Sequence, residues 1–244
     1  MYLNYTLSGH IFISPQDDCN MITDAMLLTD YDKDFCLAGD FDPEFIAKLM
    51  EAGFLVMSMN LSEDDTEPDY ILLPRLHLVR SVLFFENLHI KKSIRRFLNR
   101  YELRADAEFE FILDRCVEKH KSDWLTPPLV ECIKKIRNTY GGGENDSGRL
   151  AASENARPAS FALYREGKLV AGEFGVVCGK VYTSYSGFYD EDNAGTVQII
   201  LAARHLQKQG FSFFDLGMPL DYKKDLGAIE ISTEEFVRLF RGED

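Results

Sequence analysis

The chain has 244 residues, 45% of them hydrophobic and 27% charged, with a net charge of −13. This is a globular composition, long enough for a main domain with a small companion, and no apolar run approaches the ~20 residues of a membrane span. Five scattered cysteines among apolar neighbours read as reduced core thiols, and without CxxC or HExxH spacing no metal is expected. The N-terminus Met1-Tyr2-Leu3-Asn4 lacks a basic n-region and an apolar h-region, so the expectation is a soluble, cytoplasmic protein.

Residues up to about 35 are weakly patterned apart from a turn signal at Ser14-Pro15-Gln16-Asp17-Asp18. A short helix follows, with Asp42 as cap, Pro43 at its first position, Gly53 beyond its end, and Phe45, Ile46, Leu49 and Met50 on one face. Phe54 to Met57 suggests a strand, and Leu61 to Asp69 is an acidic loop near the end of a small domain spanning residues 1–74. Residues 75–244 then form the larger domain. Strands are predicted at Tyr70 to Leu73 and Ser81 to Phe85, and helices at His89 to Arg100 and around Phe109 to Val117.

Ser122 to Pro128 is a loop holding the only tryptophan, Trp124, and Thr126-Pro127 opens another helix. The glycine-rich stretch from Tyr140 to Pro158 reads as a mobile loop without chemistry. Strands at Ser160 to Tyr164, Leu169 to Cys178 and Val181 to Phe188 come next, then a helix from Asn193 to Gln209 stopped by Gly210. An apolar strand from Phe211 delivers Asp215 into a Gly-Met-Pro turn, and a helix from Thr233 to Phe240 closes the chain. The order is α+β and resembles the GNAT-like acyltransferase fold, here with a small N-terminal α/β domain.

Two features carry chemistry. Asp215 leaves a buried strand where the following loop would expose it, although a turn or capping Asp would sit there equally well. Between Arg75 and Arg104 lie eight basic residues, among them Arg80, Lys91, Lys92, Arg95 and Arg96, against two acidic ones, so the remainder of the chain carries −19. Like charges at i,i+4 repel unless an anion or acidic surface faces them, and a solvated helix face is the alternative. The position that would cradle a coenzyme pyrophosphate reads Asp190-Glu191-Asp192-Asn193-Ala194-Gly195, so coenzyme A is not expected.

An ordered series of residues resembles the leucyl/phenylalanyl-tRNA protein transferases. It comprises Gly39-Asp40, Pro43, Gly53-Phe54, Leu88-His89-Ile90, Ser93, Trp124-Leu125-Thr126-Pro127, Leu169-Val170, Gly172, Phe174-Gly175-Val176 and Gly179. Ser186, Phe188, Asp215, Met218-Pro219 and Leu226-Gly227-Ala228 complete it. The resemblance implies a GNAT-like enzyme of the N-end rule, with no cofactor, passing an amino acid from aminoacyl-tRNA to the N-terminal α-amine of an acceptor protein. It further implies that Asp215 is catalytic, that Arg80, Lys91, Lys92, Arg95 and Arg96 face tRNA, and that Trp124 lies near the tRNA 3′ end.

The departures from the family pattern are as informative. Gly217 stands where the family has its catalytic Gln, Tyr185 where it has a Glu, Leu55-Val56-Met57 where an aromatic segment is usual, and Tyr222 where a His is usual. Tyr185 is then a candidate proton acceptor, and loss of the Glu would move acceptor choice away from basic N-termini. Glu173 and Gly187 replace apolar residues of the aminoacyl pocket, whose other members by resemblance are Ser186 and Gly217. A buried carboxylate seeks a cation, so a donor shifted from Leu or Phe to Arg or Lys is one expectation, with internal pairing or solvent exposure of Glu173 as the other. The competing functions are a GNAT-like acyl or peptidyl transferase not using tRNA, and a binding relative without catalysis.

Overall fold

The computed structural model describes residues 3–29, 31–64, 66–121, 123–141 and 150–243. Its first strands, β1 (Asn4–Tyr5) and β2 (Ile11–Phe12), pair antiparallel. Helix α1 (Cys19–Leu28) begins at Asp18, whose carboxylate accepts from the amides of Asn20 and Met21. This corrects the expected lack of pattern there: α1 buries Ile22 and Met26 but exposes Met21 and Leu28, which blurs its apolar stripe. Helix α2 (Pro43–Glu51) starts as its sequence predicts, with Asp42 accepting from the Phe45 amide at 2.8 Å. Strands β3 (Leu55–Asn60) and β4 (Tyr70–Arg75) form a separate antiparallel pair.

The large sheet starts with β5 (Val79–Leu83). The basic segment then forms one turn, α3 (Lys92–Arg95), and a 3-10 turn at Leu98–Arg100 in place of the continuous helix expected from His89. No side chain caps α3, and its like charges repel at i,i+4 spacing, so little sustains a longer helix. Strand β6 (Glu102–Ala105) and helices α4 (Phe109–His120) and α5 (Pro127–Tyr140) follow. Thr126 stands at the start of α5, but its hydroxyl bonds Ser58 Oγ at 2.7 Å instead of capping the helix. Ser122 and residues 142–149 of the glycine-rich stretch lie outside the described residues, and the end of that stretch is strand, because β7 (Ser153–Arg165) starts at Ser153 instead of Ser160.

Strands β8 (Lys168–Gly179) and β9 (Val181–Tyr189) complete an antiparallel meander. Helix α6 (Ala194–Lys208) crosses over to β10 (Phe213–Asp215), and α7 (Asp221–Asp225), β11 (Ile229–Ser232) and α8 (Thr233–Arg241) end the chain. The order across the sheet is β11-β5-β10-β9-β8-β7-β6, antiparallel throughout except for β9 beside β10. This is the expected α+β, GNAT-like arrangement.

Alternation along β8 serves two cores. Phe174 and Val176 join α2, α4 and α5 on one face, while Ala171 and Val177 join α6 on the other. We keep the division at residue 74 as a proposal: the sheet changes between β4 and β5, whereas Phe45, Ile46 and Leu49 of α2 share one buried cluster with Phe174 of β8.

Candidate active site

Strands β9 and β10 pair only from Val181 opposite Phe213 to Thr183 opposite Asp215. Beyond that point β9 runs on to Tyr189, while the other chain turns away through Gly217, whose φ is +74°. A cavity of about 780 Å³ opens where the strands part, bounded by Ser184 to Tyr189, by Leu216 to Met218, and by Leu55, Met57, Trp124, Tyr222 and Lys223. The register between β8 and β9 shifts from Phe174 opposite Ser186 to Gly175 opposite Ser184, which leaves Tyr185 as a bulged residue. The bulge explains why Ser184, Tyr185 and Ser186 all border the cavity where a regular strand would alternate.

Asp215 lies beneath this cavity and does not line it. Arg80 Nε reaches its two oxygens at 3.0 and 3.2 Å, Arg80 Nη2 reaches Oδ2 at 2.9 Å, and the Gly217 amide donates to Oδ1 at 2.9 Å. Three N–H groups thus engage the Asp215 carboxylate. One expectation is corrected here: Arg80 is only 1% exposed and stacked 4.2 Å above the Phe236 ring, so its charge is not presented to tRNA. The pair instead anchors the turn that carries Gly217.

Tyr185 borders the cavity with its ring, between Trp124 and Phe174. Its hydroxyl accepts from the Val56 amide at 3.2 Å, and burial pushes its ionisation well above the ordinary phenol range. In that state Tyr185 is a neutral phenol at neutral pH, and its ring forms part of the cavity wall. Trp124 packs tilted against Tyr185 with ring centroids 6.5 Å apart.

Glu173 enters the cavity from β8 while remaining only 4% exposed. Its Oε2 accepts from Gln198 Nε2 of α6 at 3.2 Å, and Oε1 has no hydrogen-bond partner. Burial pushes the carboxyl up to about 7, against the pull of Gln198, of the Ser184 hydroxyl and of the Lys223 charge. Opposite it, Gly187 is needed for close approach, since a Cβ there would meet Gly172 O at 2.8 Å. The space expected beside Gly187 is therefore taken by β8 itself. Ser186, 8% exposed, borders the cavity next to it.

Three cavity residues lie outside the sequence expectations. Gln198 interrupts an apolar run, Val197 to Ile200, and that signal could have marked it. His77 is held neutral, its pKa lowered to about 4 by burial and by the charges of Arg80 and Arg75. Lys223 sits in an acidic and basic stretch that looks fully solvated in sequence, yet it is 7% exposed and donates to the carbonyls of Leu216 and Met218, the second at 2.8 Å.

Lys91, Lys92, Arg95 and Arg96 are exposed and stand outside the cavity lining. Lys91 bonds Asp225 of α7 at 2.6 Å and the His89 amide donates to Leu226 O at 2.9 Å, so the basic segment is tied to the helix that brings Tyr222 and Lys223 to the cavity. Among the described residues Lys92, Arg95, Arg96 and Arg100 make no salt bridge. Among the same residues no group of three or more His, Cys, Asp or Glu could hold a metal ion, and no helix is long and apolar enough to cross a membrane.

Known proteins of similar fold include FemX, at 11% identity and a TM-score of 0.44 over 94% of this chain and 82% of that one. A GCN5-related N-acetyltransferase from Kribbella flavida matches at 9% identity and a TM-score of 0.36, over 89% of this chain and 73% of its own. Sequence likeness is more specific. A leucyl/phenylalanyl-tRNA–protein transferase of Pseudomonas entomophila is 31% identical over 165 residues, 64% of this chain, and the match spans 65% of that relative's length. One from Maridesulfovibrio salexigens is 27% identical over 82% of this chain and 77% of its own. The family model described as leucyl/phenylalanyl-tRNA protein transferase matches residues 82–241, a span that holds β8, β9, β10 and α7, and the chain belongs to that family.

Proposed function

We propose that this protein transfers an aminoacyl group from tRNA to the N-terminal α-amine of an acceptor protein. The observation that carries the reading is the joining, through α7, of a largely apolar cavity that holds Glu173, Gln198 and Lys223 to an exposed basic segment. A phosphate backbone on Lys92, Arg95, Arg96 and Arg100 would deliver its 3′ end across α7 toward the wedge between β9 and β10. The chemistry needs an oriented ester, a neutral amine and a proton acceptor, and the cavity supplies proximity. In a cell such a reaction marks proteins for degradation by the N-end rule, in the cytoplasm.

The donor class we propose is a basic amino acid. Glu173 presents an unpartnered, buried carboxylate oxygen at the cavity wall, and a guanidinium or ammonium group would complete its bonding. Tyr185 supplies no negative charge for a basic acceptor N-terminus, which favours acceptors with other first residues.

The test is transfer of labelled Leu, Phe, Arg and Lys from separately charged tRNA to peptides differing at residue one, with Glu173→Met beside the wild type. Arg or Lys should transfer best in the wild type and lose that advantage in the variant. Transfer of Leu or Phe alone would remove the donor assignment. Absence of transfer from every charged tRNA would overturn the reading in favour of an acyltransferase that uses another donor or a binding protein.

A further inference from the structure

Lys223 is buried without an ion pair, an arrangement that costs stability and is seldom kept without use. Among the described residues no carboxylate lies within salt-bridge distance of its Nζ, which instead donates to the carbonyls of Leu216 and Met218 on either side of Gly217. An ammonium group has three protons; a neutral amine has two and a lone pair. Two carbonyls therefore satisfy the whole donor capacity of the neutral form and leave its lone pair as the one unengaged position. Lys223 lines the cavity together with Gly217, the glycine that stands where the family has its Gln.

We infer that Lys223 is the proton shuttle of the transfer reaction. The inference rests on the aminoacyl transfer proposed above. The acceptor nitrogen attacks the ester carbonyl carbon, forming the C–N bond. Neutral Lys223 Nζ takes the proton that this nitrogen must lose, the C–O bond to the 3′ oxygen breaks, and the same proton passes from Nζ to that oxygen. The products are an amide and a free 3′ hydroxyl, with Lys223 returned to its neutral form.

The surroundings suit this cycle. Asp215 and Arg80 lie beneath Lys223, Glu173 faces it from β8, and the Tyr222 ring centroid of its own helix is 5.8 Å from Nζ. Burial outweighs the two carboxylates and brings the lysine down to about 8, near the pKa of the α-amine it would serve. The other candidates are engaged: Asp215 by Arg80 and Gly217, and Tyr185 by the Val56 amide.

The experiment is single-turnover transfer from charged tRNA to peptide as a function of pH, comparing wild type with Lys223→Arg, which keeps a cation and its bonds to carbonyls but cannot release a proton. Below pH 8 the wild-type rate should fall with a log–log slope of about two, one unit from the peptide amine and one from Lys223, and the variant should be slower by about 10²–10⁴-fold with a slope of about one. Rescue gives a second arm that also serves if the arginine variant fails to fold. In Lys223→Cys treated with 2-bromoethylamine, the new thiol becomes a lysine analogue of lower basicity while the five native cysteines are buried. Restored rate with the second limb moved to lower pH is expected.

A wild-type rate in Lys223→Arg, or an unaltered slope of two, would overturn the shuttle and leave the transfer reading intact. So would loss of the second limb in Glu173→Gln with its retention in Lys223→Arg, which would assign the proton step to Glu173. No transfer by the wild type from any charged tRNA would overturn the function and the shuttle together.

Discussion

Two sets of buried charges lie on either side of the turn at Gly217, and they differ in how far they are satisfied. Beneath it, Asp215 has both oxygens filled by Arg80 and a backbone amide. Above it, Glu173 keeps one oxygen without a partner, and Lys223 keeps one position beyond its two carbonyls. A carboxylate engaged on both oxygens holds backbone in place, even with Arg80 Nη1 left without a hydrogen-bond partner, whereas one with a bare oxygen is open to a ligand or a proton. The strand-exit carboxylate thus holds the turn at Gly217, while Glu173 and Lys223 line the cavity above it.

The largest test of this contrast is Arg80→Met. It leaves Asp215 buried and uncompensated, and chemical denaturation should record a loss of about 3–5 kcal/mol. Adding Asp215→Leu should return most of it, since an apolar pair of similar volume replaces the ion pair. A loss under about 1 kcal/mol in the single variant would mean that Asp215 is not held as described.

Glu173→Gln should act in the opposite direction. The folded protein holds the Glu173 carboxyl at about 7, above its ordinary value of 4.5, so the native state keeps the proton more tightly than the unfolded chain. Its contribution to stability is complete below about pH 4.5 and is lost as the pH rises through 7. The variant should therefore be more stable than wild type at pH 8, by about 2–3 kcal/mol, and the gap should close toward pH 4. An equal gap at both pH values would show that desolvation of the charge is not its cause. A cation bound at the cavity should narrow the difference in the same way.

Gly217→Ala is a smaller perturbation, because a Cβ there has ordinary contacts, 3.6 Å from Leu55, and only the φ of +74° resists it. A loss of about 1 kcal/mol in thermal melting is expected. A larger loss would mean that the Asp215 bond to the Gly217 amide breaks with the change.

What was legible in the sequence follows the same division. Helix α2 was readable because cap, proline and apolar spacing agree, and the meander because turns at Gly167 and Gly179 bound runs of apolar residues. Helix α7 and strand β11 are too short to hold a period. Arg80 counts as basic surface in any tally of charge, since burial of an arginine is decided by a partner 135 residues away. Lys223 has the converse problem: Asp221-Tyr222-Lys223-Lys224-Asp225 reads as a solvated turn, and only the packing of α7 over the wedge turns one of its two lysines inward. Glu173 was visible as a carboxylate in an apolar strand, and β8 buries it as that pattern implies.

The basic segment supplies the smallest effect on stability and a clean counterpart to the buried charges. Lys92, Arg95 and Arg96 are exposed and outside any salt bridge among the described residues, so reversing all three to Glu should alter unfolding free energy by no more than about 0.5 kcal/mol per site. Their contribution should be read in tRNA binding. If each neutralises one phosphate, the slope of log K against log salt should become shallower by about two to three, with proportional weakening for every tRNA regardless of its amino acid. Lys91 differs from them, since Asp225 already answers its charge at 2.6 Å. Lys91→Ala should therefore loosen α7 more than it weakens phosphate binding, and would be detected as slower transfer at saturating tRNA. An unchanged salt slope in the triple variant would detach the basic segment from the cavity, and the proposed entry of the 3′ end over α7 would fail.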